Sequence, residues 1–270
     1  MNNRHRELAP ISDAAWSQIE EETARTFKRY LAGRRIVDVA SSAGGAFSGV
    51  GTGHLKPVKA PSDGIIASQL EVKSLVELRV SFELSRQVID DVERGAKDSN
   101  WQPAKDAAKK LALAEDRAIF DGYKDAAIQG IREGTSNPVH VLPADVRDYP
   151  DAIAHALSQL RLVGVNGPYS VALGPDEYTA LAETRDHGYP VLDHVKRIVD
   201  GDLIWAPAIQ GAFVLTTRGG DFELNLAQDV SIGYLSHNDS TVQLYLQETF
   251  VFRVLTSEAS VALSPFRKLS

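Results

Sequence analysis

QPAKDAAKKLALAEDRAIFDGYKDAAIQGIR, residues 102–132, decides the fold. Ala104, Ala107, Ala108, Leu111, Ala114, Ala118, Ile119, Tyr123, Ala126, Ala127 and Ile131 recur at helical spacing. The pattern predicts one amphipathic helix from Pro103 to Arg132, roughly eight turns at 3.6 residues each. Pro103 suits a first helical turn, where its missing N–H would have no partner anyway. Lys105, Asp106, Lys109, Lys110, Asp116 and Lys124 are expected on the solvent side, and Gly134 with Asn137-Pro138 marks the end. A helix of this length needs a sheet or other chains over its small-residue stripe. The flanking sequence is rich in β pattern, so the helix reads as the spine of an α+β domain.

Upstream, Ser12 to Leu31 predicts a second amphipathic helix. Ser12-Asp13 can cap it, Glu20, Glu21 and Glu22 precede Lys28 and Arg29 in the sense the helix dipole favours, and Gly33 is expected to stop it. Trp16, Ile19, Thr23, Phe27, Tyr30 and Leu31 trace its apolar side. Arg34 to Val39 alternates as a short strand. Ser41 to Gly53, rich in Gly, Ser and Ala, reads as a flexible linker. His54 to Leu84 reads as one long β-ribbon whose first arm, with Pro57 and Pro61, suits an edge. An isolated two-stranded ribbon is marginal in water, so this one is expected to pair outside its own domain. Ser85 to Arg94 predicts a short helix closed by Gly95.

Downstream, helices are expected at Asp151–Val163, from Pro175 to about Thr184, and at Val191–Val199. Strands are expected at Pro168–Leu173, Leu203–Ala206, Phe213–Thr217 and Phe222–Leu226, the last two joined as a hairpin by Gly219-Gly220. Residues 137–226 could thus form a subdomain. Val230 to Leu263 returns to dense β pattern, and Val242 to Leu255 is apolar on both faces, as for a strand covered on two sides.

The 29 lysines and arginines against 36 acids leave a net charge of −7, which argues against nucleic acid as a partner. There are no cysteines, hence no disulfide or thiolate metal site. No apolar leader and no membrane-length apolar run appears, so the expectation is a soluble cytoplasmic protein. Nucleophile-elbow, zinc-helix, Walker and dinucleotide-binding patterns are absent, and GVGTG (49–53) precedes no amphipathic helix, which favours a linker over a phosphate cradle. The seven histidines are scattered without metal-ligand spacing. Neither a metal nor a cofactor is expected. Asp186 with His187 could supply two members of a triad, but no serine partner can be assigned. Arg34 and Asp38, four apart, read either as a solvated ion pair or as the polar ends of a clamp for an extended peptide beside Ile36.

Many collinear segments resemble encapsulins, the bacterial protein-shell subunits, along the whole chain. They are MNNRHRELAPIS, ARTFKRYLAGRRIVDV (24–39), IDDVERGAKDSNWQP (89–103), GPYSVALGPDEYTAL, DHGYPVLDHV, LIWAP (203–207), LTTRGGDFEL, SIGYLSH and LYLQETFVFRVLT. The linocin-like actinobacterial branch is the most similar; Ser41–Gly53 and the terminal PFRKLS match poorly. The resemblance implies the tailed-phage major capsid fold. Residues 1–40 would form an N-terminal helix and strand and 41–84 a linker and extended loop reaching a neighbouring subunit. Residues 85–136 and 227–270 would be the peripheral domain, and 137–226 an axial domain meeting its copies at fivefold axes. It further implies a non-catalytic subunit, assembling in about sixty copies or a multiple of sixty, with no nucleic-acid or membrane partner. The shell would enclose a cargo enzyme, a dye-decolourising peroxidase or a ferritin-like protein, held through the cargo's C-terminal peptide. The positions matching the cargo groove are Phe27, Leu31, Arg34, Ile36, Asp38, Asp229, Val230, Ile232 and Tyr234. Those matching the fivefold pore are Asp186, His187, Gly188 and Tyr189. A prophage capsid protein, or less readily a hydrolase or bacteriocin, is the alternative.

Overall fold

The computed structural model describes residues 4–41 and 47–266. In chain order the helices are α1 (Asp13–Tyr30), α2 (Arg86–Glu93), α3 (Gln102–Phe120), α4 (Ile131–Gly134), α5 (Tyr149–Leu162), α6 (Pro175–Glu183) and α7 (Val191–Ile198). The strands are β1 (Asp38–Ser41), β2 (Gly49–Val58), β3 (Ala67–Ser74), β4 (Val76–Ser85), β5 (His140–Val141), β6 (Tyr169–Leu173), β7 (Arg185–Asp186) and β8 (Tyr189–Pro190). They continue with β9 (Leu203–Trp205), β10 (Ala212–Thr216), β11 (Phe222–His237), β12 (Thr241–Val254) and β13 (Ser260–Ser264).

The first sheet runs β1-β11-β12-β4. Helices α1 and α3 pack together, and α3 lies against β4 and β12. Alanines 104, 107, 108 and 112 of α3 keep side-chain bulk low at this contact, and Trp16, Ile19 and Phe27 of α1 fill the remaining space with Phe82, Leu84, Val242, Leu244 and Leu246 of the sheet. The side chain of Ser12 caps α1 as expected, accepting from the Ala15 N–H at 3.3 Å.

The spine is shorter than its periodicity predicts. It ends at Phe120, because Gly122 takes φ 89° and the chain folds back through a bridge between Tyr123 and Ile128. Gly122 and Gly130 meet so closely that a Cβ on Gly130 would lie 2.2 Å from the Gly122 nitrogen. Apolar spacing continued past this point, but two glycines in backbone contact override it.

A second sheet runs β5-β13-β10-β6-β9, with α5 and α7 packed on it through Ile153, Leu157, Leu160, Val191 and Val195. Strand β13 follows the strands of the first sheet in sequence yet pairs with β10 in the second. The hairpin expected at Gly219-Gly220 is not formed. Those residues, both at positive φ, carry the chain from β10 in one sheet to β11 in the other. A shared core lies between the sheets, where Ile119 and Phe120 of α3 meet Phe213, Leu215, Leu224, Phe250 and Phe252.

The ribbon exists with shifted limits. Strands β2 and β3 pair antiparallel from Gly49 to Ser74, so the last residues of the expected linker are strand, whereas Val76–Ser85 joins the first sheet. The rest of the linker, 42–46, lies outside the described residues, as do 267–270 of the C-terminal tail.

Candidate functional site

Behind the end of α1 the chain makes a 3-10 turn, Gly33–Arg35, where a strand was expected. Asp116 of α3 holds this turn by accepting the N–H groups of Ala32 and Gly33 at 2.8 and 2.9 Å. Gly33 is required for close approach, since a Cβ there would sit 2.6 Å from Ile119 Cδ1. The turn aims Arg34 inward. Its guanidinium forks onto Glu115 with bonds of 2.8 and 2.6 Å, reaches Asp229 at 2.8 Å, and lies 3.5 Å from Glu248. The same group sits 5.2 Å from the Phe27 ring centroid. Asp38 is not its partner. That carboxylate instead accepts the N–H of Gly220 at 2.5 Å.

Three of these acids are fully buried: Glu115, Asp116 and Glu248. Burial opposes the charge on Arg34, but hydrogen bonds and attraction from Glu115, with Asp229 behind it, raise its pKa further above the usual range. Burial pushes Asp116 up to about 7 against the pull of the Ala32 and Gly33 N–H groups. Glu248 is pushed well above the carboxylate range by burial and then by the neighbouring Glu115. Neither of its oxygens accepts a hydrogen bond. One guanidinium faces all of these acids, and burial together with the Glu115 charge opposes ionisation of Glu248.

Folding therefore retains protons that the unfolded chain would release, and stability falls as pH rises from the ordinary carboxylate range through the raised pKa values. Glu248→Gln keeps the shape without the charge. Unfolding free energies from urea titrations should match wild type near pH 5 and exceed it by about 1–3 kcal/mol at pH 8–9. Equal pH slopes for the two proteins would show that Glu248 does not carry this dependence.

The nine groove positions are brought near one another but do not form one open trough. Phe27 and Ile232, 2% and 5% exposed, lie with Leu31 in the core under α1, and Ile36 lies in the core between the sheets. They support the surface from below. Asp38 and Asp229 are exposed, and Val230 and Tyr234 are half-buried along β11. Three acids that organise the site were missed. Glu115 and Asp116 continue the buried stripe of Leu111, Ala112 and Ile119, which is the signal that could have found them.

The DHGYP break forms a minimal hairpin. Strands β7 and β8 pair, and His187 and Gly188, at φ 44° and 88°, make its two-residue turn. His187 projects with its side chain 94% exposed, and its Nε2 is 3.8 Å from Asp186 Oδ1. That distance is beyond a hydrogen bond, so the pair does not form a catalytic dyad here. Among the described residues no cluster of three or more His, Cys, Asp or Glu could hold a metal ion.

The β2–β3 ribbon leaves a group of apolar residues uncovered. Leu55, Val58, Ile65, Ile66, Leu70 and Val72 are all exposed, Ile66 at 96% and Leu70 at 70%.

The model of the linocin family, described as "Encapsulating protein for peroxidase", matches residues 1–251. A type 1 encapsulin shell protein of Mycobacterium tuberculosis is 62% identical over 98% of this chain and 100% of its own length. The chain belongs to the encapsulin shell-protein family. Its fold is that of the tailed-phage major capsid proteins. A virus-like particle from Pyrococcus furiosus matches 92% of this chain and 98% of its own, with TM-score 0.67 at 17% identity. The mature capsid of bacteriophage PhiM1 covers 88% of each chain with TM-score 0.51 at 11% identity. The matched residues span the hairpin, the ribbon and the Arg34 cluster. No helix among the described residues is long and apolar enough to cross a membrane.

Proposed function

We propose that this encapsulin is the subunit of a closed icosahedral compartment, present in about sixty copies or a multiple of sixty, that encloses a peroxidase. The observation that carries this reading is the ribbon: six exposed apolar residues of this two-stranded arm belong to none of the three core clusters. Such an arm is unstable alone and is satisfied by lying on a neighbouring copy. In this reading the first sheet with α1 and α3 forms the peripheral domain, the second sheet with its helices the axial domain, and 49–74 the extended loop. Five hairpin tips, Asp186 to Tyr189, ring each fivefold pore. The half-buried edge at Val230 and Tyr234, flanked by Asp38 and Asp229, receives an extended cargo peptide, and the shell works in the cytoplasm without chemistry of its own. A prophage capsid reading is disfavoured by the contrast between 62% identity to an encapsulin shell protein and 11% to a phage capsid.

Size-exclusion chromatography with negative-stain microscopy, on protein from its own host, tests the proposal. The expected result is uniform hollow particles carrying a second protein band with a haem spectrum. A monomer or small oligomer across salt and pH would overturn the shell; a second band without haem would replace the peroxidase with another cargo.

A further inference from the structure

Strand β11 pairs with β12 along one edge throughout its length. Among the described residues β1 covers the other edge only from Glu223 to Leu226. Register breaks after Leu226 and Gln228 bend the strand, and Val230 to His237 runs on past the end of β1. Backbone groups on such an edge are ready partners for an extended chain. One of them is already taken: the Tyr234 N–H donates to the carbonyl of Arg4 at 2.9 Å.

Arg4 reaches this edge by a short strap. His5 turns the chain at φ 50°, Arg6–Leu8 makes a single 3-10 turn, and the chain then enters the Ser12 cap of α1. The strap is fastened to α1 where the Arg6 guanidinium lies 4.2 Å from the Trp16 ring centroid and pairs with Glu20 at 2.6 Å. No residue of the 3-10 turn is buried and Leu8 is exposed, while Ala9 and Ile11, between the turn and the cap, are partly buried against the core under α1. A segment with so little buried surface opens far more readily than a packed element. His5 in the left-handed region adds to this, since a residue other than glycine is held there at a cost.

We propose that the N-terminal strap is a built-in competitor for the cargo edge, holding the Tyr234 N–H until an extended peptide displaces it. The inference rests on the reading that cargo docks along β11. The displacing ligand is an extended backbone offering a carbonyl to Tyr234 N–H and apolar side chains to Val230 and Tyr234. Because only the strap-open form accepts it, the apparent affinity is the intrinsic one reduced by the open fraction. Weak, non-cognate segments are thereby rejected, while a peptide with good side-chain contacts opens the strap.

Two variants remove the strap without touching a core residue: a deletion of residues 2–5, and His5→Pro, since proline cannot adopt φ 50°. Hydrogen exchange across Val230–His237 is measured on empty shells, expressed alone, and on shells carrying the protein that co-purifies from the host. In empty shells both variants should speed exchange at Tyr234 about tenfold, equivalent to about 1.4 kcal/mol. They should also raise the cargo-to-shell ratio severalfold when cargo is limiting. Unchanged exchange at Tyr234 overturns the strap contact. Faster exchange with an unchanged ratio overturns the competition. The docking reading is judged separately, on full-length shells. If loading fails to protect Val230–His237, that reading falls; if loading protects but the variants change nothing, only the strap is lost.

Discussion

Ile66→Asp combined with Leu70→Asp should yield a folded chain that no longer forms particles. Both side chains project from the ribbon and belong to no core cluster, so the change costs the isolated subunit almost nothing. In a shell each would be covered by a neighbour. Burying an aliphatic side chain of this size contributes about 1.5–3 kcal/mol, so losing two weakens each contact by about 3–6 kcal/mol before the cost of burying carboxylates. That is roughly two to four decades in pairwise association. The effect compounds, because every subunit contributes the same defective arm. Size-exclusion chromatography should show monomers or small oligomers, with circular dichroism unchanged. Normal particles would mean that the ribbon is not the assembly arm, and an unfolded chain would mean that it stabilises its own subunit after all.

Arg34→Ala should produce the largest loss of subunit stability. The guanidinium is the charge that compensates Glu115 and lies beside Glu248, both fully buried. Removing one partner of a buried ion pair costs about 3–5 kcal/mol, because the remaining charge can neither hydrate nor find a new partner. Of the 5–15 kcal/mol that typically holds a domain folded, this is a large share. The deficit should depend on pH. Burial raises the pKa of Glu248 well above the carboxylate range, so the charge that Arg34 faces there is lost as pH falls through that raised value; the stabilities of variant and wild type should converge towards pH 5 and separate at pH 8. A deficit below about 1 kcal/mol at pH 8 would show that the cluster is already neutral without Arg34. Arg34→Lys should fall between the two, since an ammonium cannot reproduce the forked bonds to Glu115.

The two results concern different properties of one chain. The ribbon variant leaves the fold and removes the assembly; the arginine variant weakens the fold from which the cargo edge is built. The 3-10 turn that carries Arg34 also leads into β1, which covers β11 from Glu223 to Leu226.

Local patterns were legible in the sequence where a single element settles the matter. Ser12 as the cap of α1, Gly95 closing α2 and Pro175 opening α6 all follow from backbone preferences of a few residues, and the α+β class follows from their order. A two-stranded ribbon that needs a partner was legible in part, because two strands alone are marginal in water, but its expected second arm includes Val76–Ser85, which joins the first sheet. Tertiary structure alone decided the rest. Helical spacing ran on past Phe120, but contact between Gly122 and Gly130 ended the spine there. Asp116, placed on the solvent side by its type, is buried because two backbone N–H groups from a turn some eighty residues away need an acceptor. Phe27, Ile36 and Ile232, which the resemblance assigns to the groove, lie in the core, Phe27 and Ile232 between α1 and the first sheet and Ile36 between the two sheets. Each of these outcomes depends on a partner distant along the chain, and spacing within one segment carries no information about that partner.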